Sequence, residues 1–186
     1  MEKSTDQYQE MLALDDCVLV VIDLQGKLLA LMDDRDRMLE NTVKLLRFAD
    51  IVGLPVLVTE QENLGPTVDE ARSVMTGFEA ITKIEFDACK RPEFVQAFAR
   101  LGKKSVIVAG IESHICVTQT VLHLLPDYRV HVVSDAVASR IPQNKEVAIE
   151  RMRQAGAVIS STEMVMYEIL ERAGTDEFRQ ALKLVK

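Results

Sequence analysis

The sequence predicts a three-layer α/β/α sandwich on a six-stranded, mainly parallel sheet, a Rossmann-like, doubly wound architecture. Three observations carry this. Short β-branched apolar runs recur along the chain, most clearly "CVLVVID" (17–23) and "KSVIVAG" (104–110). Segments with apolar residues at helical spacing separate them. Each strand–helix–strand unit is long enough for the right-handed crossover that parallel neighbours require.

The elements follow in order. "CVLVVID" reads as a strand buried on both faces and closed by Asp23. From Asp33, the residues Met38, Leu39, Thr42, Leu45, Leu46 and Ala49 mark one helical face, with Gly53 as the stop. "LPVLVTE" (54–60) is a second strand, "ENLGPTVDE" a loop and "AITKIEF" (80–86) a short third strand. Pro92 opens a helix to Leu101 with Phe94, Val95 and Phe98 inward and Gly102 after it; "KSVIVAG" follows as the fourth strand. Residues 114–125 have helical spacing, "YRVHVVSDAV" is a fifth strand, "NKEVAIERMRQAG" a helix and "AVIS" a sixth strand. Ser160 with Glu163 forms a capping-box pattern for the next helix, and residues 176–185 give the last.

At 186 residues the chain is expected to form a single domain over 1–186, burying roughly 70% of its unfolded surface, with residues 1–13 as a flexible extension. Its net charge of -7 would repel a phosphate backbone, and Lys and Arg are scattered, so no nucleic-acid partner is expected. No apolar run approaches the roughly 20 residues of a bilayer span, so no membrane partner is expected either. Cys17, Cys89 and Cys116 lie far apart without a CxxC pair, which points to reduced thiols in the cytoplasm rather than a disulfide or zinc framework.

Ligand crevices in such sheets lie at the carboxyl ends of the strands, which makes Asp23, Glu60, Lys83 and Cys116 candidates. A carboxylate at Asp23 could take a proton from a thiol; Lys83, if buried, needs an anionic partner and would lower a nearby thiol's pKa. Cys116 opens a helix, whose N-terminal dipole favours a thiolate and can hold an oxyanion. Cys17 and Cys89 read as inert thiols, His114 points elsewhere, and His123 and His131 fall on a helix surface and a strand. Gln25, Glu60 and Gln61 are candidate substrate-binding residues.

"VVIDLQ", "TEQENLGPTVDE", "ITKIEF", "AGIESHICVTQT", "VHVVSDAVASR" and "AIERMRQAGAVISSTE", in that order, resemble the isochorismatase-like cysteine hydrolase superfamily, and within it the isochorismatase domain-containing branch. The resemblance spans about residues 14 to 172. It implies an Asp23, Lys83, Cys116 triad, a non-proline cis peptide between Ile111 and Glu112, and an oxyanion hole from the N–H groups of Glu112 and Cys116. "TEQENLGPTVDE" lacks the histidines with which nicotinamidase-like relatives hold a metal, so no metal or other cofactor is expected. The resemblance further implies a homo-oligomer and a small-molecule substrate hydrolysed through a Cys116 thioester, amide-like or carbamoyl in kind. Two alternatives stand beside it: a non-catalytic, protein-interacting member of the fold, and a vinyl-ether hydrolase that uses Asp23 without the thiol.

Overall fold

The computed structural model describes residues 11–186. Six strands form one sheet in the order β3-β2-β1-β4-β5-β6, every neighbouring pair parallel. They are β1 (Cys17–Ile22), β2 (Val56–Gln61), β3 (Ala80–Lys83), β4 (Ser105–Ile111), β5 (Arg129–Ala138) and β6 (Val158–Ser160). The helices are α1 (Gly26–Leu29), α2 (Arg35–Val52), α3 (Asp69–Arg72), α4 (Pro92–Leu101), α5 (Thr118–Leu124), α6 (Pro142–Ala155), α7 (Thr162–Leu170) and α8 (Asp176–Val185).

The apolar run of β1 explains the layering. Alternate side chains of a strand point to opposite faces. Accordingly Cys17, Leu19 and Val21 join a core with Leu45, Phe48, Val165 and Ile169 under α2 and α7, while Val18, Val20 and Ile22 join another with Phe94, Phe98, Val121 and Met152 under α4, α5 and α6. A strand covered on both sides is buried along its whole length, as β1 and β4 are, and β1 is apolar throughout while β4 is so after Ser105.

Several expectations shift. The third strand ends at Lys83 because Ile84 and Phe86 turn out to solvent, 62% and 54% exposed. The cap of α7 is Ser161, whose hydroxyl accepts from Met164 N–H, not Ser160, which still belongs to β6. Val95 faces water, since only Phe94 and Phe98 share the inward face of α4. Within "ENLGPTVDE", Thr67 bridges to Gln25 and Asp69 starts α3, so the loop is tied down at its centre. Most of the expected N-terminal extension lies outside the described residues, but Leu12, at its end, is buried in the core and its N–H donates to the Glu168 carboxylate.

Because β1 leads outward to β2 and β3 on one side and β4 leads to β5 and β6 on the other, the strand order reverses between β1 and β4. Carboxyl ends diverge at such a switch point and leave a crevice. The segments that leave β1 and β4 there carry Asp23 and Cys116.

Candidate active site

Asp23 follows β1 in a left-handed conformation, φ +52°, with no exposed surface. Non-glycine residues seldom take this conformation, and it is held by the surroundings. The Asp23 N–H donates to Thr59 O at 3.1 Å and the Thr59 hydroxyl donates to Asp23 Oδ1 at 2.7 Å, so β2 clamps both backbone and carboxylate.

Lys83 is at the end of β3, two strands away, and its ammonium reaches Asp23 Oδ2 at 2.7 Å. The remaining donors go to Gln61 Oε1 at 2.8 Å and Glu85 O at 3.2 Å. An ammonium has three N–H groups, and all three have acceptors here. That saturation offsets the cost of burying the side chain at 1% exposure, where an unpartnered polar group would be prohibitive.

Cys116 lies in a single π-helical turn, Ser113–Val117, between β4 and α5. Turns of this kind inside helices frequently mark functional sites. This one is anchored by Ile115 N–H to Glu112 O at 3.0 Å and by the Thr118 hydroxyl to Ser113 O at 2.6 Å. The thiol is buried beside Asp23 and Lys83, close enough to feel both charges. Burial and the Asp23 charge push its pKa from an ordinary 9.0 up to about 12, against a smaller downward pull from Lys83. Desolvation thus outweighs the pull of Lys83 toward the thiolate. Cys17 and Cys89 are likewise pushed up to about 12, chiefly by burial.

The peptide between Ile111 and Glu112 is cis. Glu112, also buried, is held by the Arg140 Nε at 3.0 and 3.1 Å and accepts the Arg140 backbone N–H at 3.0 Å. That pinning fixes the turn that leads to Cys116.

The structure thus gathers Asp23, Lys83 and Cys116, and separates the three proposed substrate contacts. Gln25 is fully buried, its amide spent on the Gln61 N–H and on the carbonyls of Gln61 and Gly65. Glu60 Oε1 accepts both the N–H and the hydroxyl of Thr67. These two brace the loop after β2. Gln61 alone touches the charged pair, with Oε1 on Lys83 and Nε2 donating to Ile84 O. His114 turns to the Ser139 hydroxyl at 3.0 Å. Two residues escaped the sequence reading. Thr59 was signalled only by a hydroxyl in an apolar strand, and Ser113 Oγ, buried in the Cys116 turn, has no partner among the described residues.

A parallel six-stranded sheet covered by helices, with Asp23, Lys83 and Cys116 brought together near its switch point, defines a doubly wound α/β protein. The Isochorismatase domain matches residues 17–164, and the chain belongs to that family of hydrolases. It is 37% identical over 179 residues to the secreted isochorismatase effector Isc1 of Phytophthora sojae (strain P6497), covering 91% of this chain and 84% of that protein. Among solved structures, MAR1 ribonuclease from Caenorhabditis elegans superposes with a TM-score of 0.89 at 29% identity, over 95% of this chain and 92% of that one. YcaC from Pseudomonas aeruginosa, with hexane-2,5-diol and covalent acrylamide, gives 0.88 at 27%, over 95% and 92%. Escherichia coli YcaC, described as an octameric hydrolase of unknown specificity, gives 0.84 at 26%, over 94% and 87%. Among the described residues no helix is long and apolar enough to cross a membrane.

Proposed function

We propose that the chain hydrolyses a small amide-like or carbamoyl compound through a Cys116 thioester, with Asp23 as the proton carrier. The observation that carries this is the buried Asp23–Lys83 pair, 2.7 Å apart, with the buried Cys116 thiol beside it.

Asp23 takes the S–H proton as the sulfur attacks the substrate carbonyl carbon, and the N–H groups of Glu112 and Cys116 receive the developing oxyanion. When the tetrahedral adduct collapses, the C–N bond breaks and Asp23 passes its proton to the leaving nitrogen. A thioester remains. Water then attacks it while Asp23 accepts a proton; the C–S bond breaks, the acid leaves and the proton returns to sulfur. Lys83 pairs with the carboxylate and aims it, positioned in turn by Gln61. The covalent acrylamide named for one YcaC structure supports this reading, since acrylamide is both a small amide and a thiol-reactive acceptor.

The test is a screen of small amides, ureido acids and vinyl ethers against the wild type and Cys116→Ala. Turnover of an amide or carbamoyl compound, lost by roughly 10⁴-fold or more in Cys116→Ala, is the expected result. Vinyl-ether cleavage that survives Cys116→Ala would replace this mechanism with one resting on Asp23 alone. An RNA oligonucleotide belongs in the screen because one structural neighbour is called a ribonuclease; the charge of -7 predicts that it stays intact. We further propose a homo-oligomer, on the precedent of the octameric YcaC, and a reducing, cytoplasmic setting for the three free cysteines.

A further inference from the structure

We infer that Asp87, Cys89 and His123 form a binding site for a divalent cation of the zinc class, separate from the Asp23–Lys83–Cys116 centre. Their ligand atoms all lie within 4.8 Å of one another. A four-coordinate zinc, with bonds of about 2.0 to 2.3 Å, spaces its ligand atoms roughly 3.5 Å apart. His123 Nδ1 and Asp87 Oδ2 are 2.8 Å apart, so the cation would open that contact slightly and draw Cys89 inward. The His123 ring is half exposed and can make the adjustment.

The rest of the arrangement is already fixed by backbone. Asp87 is buried and caps a short turn, Ala88–Lys90, its Oδ1 accepting the Cys89 N–H at 3.0 Å. This leaves Oδ2 to serve as a ligand. The Ala88 N–H donates to the Thr120 hydroxyl at 3.0 Å, which pins the turn to α5 three residues before His123. Two elements distant in sequence thus present one oxygen, one nitrogen and one sulfur to a common point.

The donor set selects the ion. Calcium and magnesium take oxygen ligands, whereas a thiolate with an imidazole suits zinc and its cobalt surrogate. Three protein ligands leave the fourth position for water, on the side where His123 meets solvent. Binding converts the Cys89 thiol and the free cation into a metal–thiolate and a proton released to buffer. Asp87 is four residues after Lys83, and His123 is seven after Cys116. The cation would therefore clip the segment bearing Lys83 to the helix following Cys116.

Cobalt(II) supplies the test, because only a thiolate ligand gives it an intense near-ultraviolet charge-transfer band. The full chain, stripped with chelator, is titrated with cobalt(II) and then challenged with zinc(II). One equivalent should produce the band, with zinc(II) abolishing it. The Cys116→Ser variant should keep the band, Cys89→Ser should lose it, and His123→Asn, altered at a half-exposed position, should weaken binding by at least about tenfold. Absence of the band in the wild type, its survival in Cys89→Ser, or its loss in Cys116→Ser would each overturn the assignment. Should Cys89→Ser not fold, unaltered cobalt(II) affinity in His123→Asn would do the same. Since the readout needs no substrate, it stands or falls independently of the hydrolase reading.

Discussion

At Cys116, two charges and a loss of solvent compete for one proton. Burial raises the thiol pKa most, Asp23 adds to it and Lys83 opposes, which leaves the group near 12. A base is therefore needed at the moment of attack, and Asp23 is the group in contact. The thiolate absorbance of Cys116, taken as the difference between the wild type and Cys116→Ala, should be absent at neutral pH and appear well above 9.0. Asp23→Asn removes a negative neighbour and should move the midpoint down; Lys83→Met removes a positive one and should move it further up. A wild-type midpoint below about pH 7 would mean a preformed ion pair and no role for Asp23 as base. Asp23 and Lys83 were readable in the sequence because one closes and the other interrupts an apolar run, and Cys116 because it opens a helix just beyond the fourth strand; the resemblance linked the three. The bracing by Thr59 and Gln61 was not, because it depends on which strands become neighbours, and no local pattern encodes that.

The strands show the same division between pattern and partnership. Runs such as "CVLVVID" announce themselves by composition, and the helices between them by spacing. The short α1 and α3 do not, being single turns stabilised by the fixed loop between β2 and β3. Nor does the π-helical turn at Ser113–Val117, which shares its hydrophobic spacing with an ordinary helix. At Gly110 the consequence can be measured. It pairs with Ile22 across β1 and β4 at φ +118°, and a Cβ there would fall 2.1 Å from the Ile22 carbonyl oxygen. Both strands are central and backbone cannot yield cheaply, so Gly110→Ala should cost about 4 kcal/mol or more, by forcing apart the two strands that deliver Asp23 and Cys116. Gly53, at φ +72° with nothing within 4 Å of such a Cβ, isolates the conformational part. Gly53→Ala should cost only about 1–2 kcal/mol. Equal losses in urea unfolding would refute the close approach as the reason for glycine at 110.

For the molecule as a whole, the double cover over the sheet places even polar side chains in apolar surroundings, and His131 makes stability depend on acid. It lies in β5 beside Ile107 and Val158, is 4% exposed, and its Nδ1 has no hydrogen-bond partner among the described residues. Burial, helped by the Arg129 charge, pushes its pKa from 6.5 down to about 4. The unfolded chain protonates near the higher value and the folded one only near the lower, so between them the unfolded state binds more protons. The contribution of His131 is complete above about pH 6.5 and is lost as the pH falls toward about 4, to a total of about 3 kcal/mol. A histidine in a strand was visible in the sequence, but the layer that covers it was not, and burial makes the difference between a neutral bystander and an acid-sensitive one. Replacing it by leucine keeps an apolar side chain of similar bulk and removes the titration. Urea unfolding of His131→Leu should therefore lose less stability than the wild type between about pH 6.5 and about 4.5, by about 2 kcal/mol. Identical slopes for the two proteins would mean that His131 takes up its proton without leaving the fold.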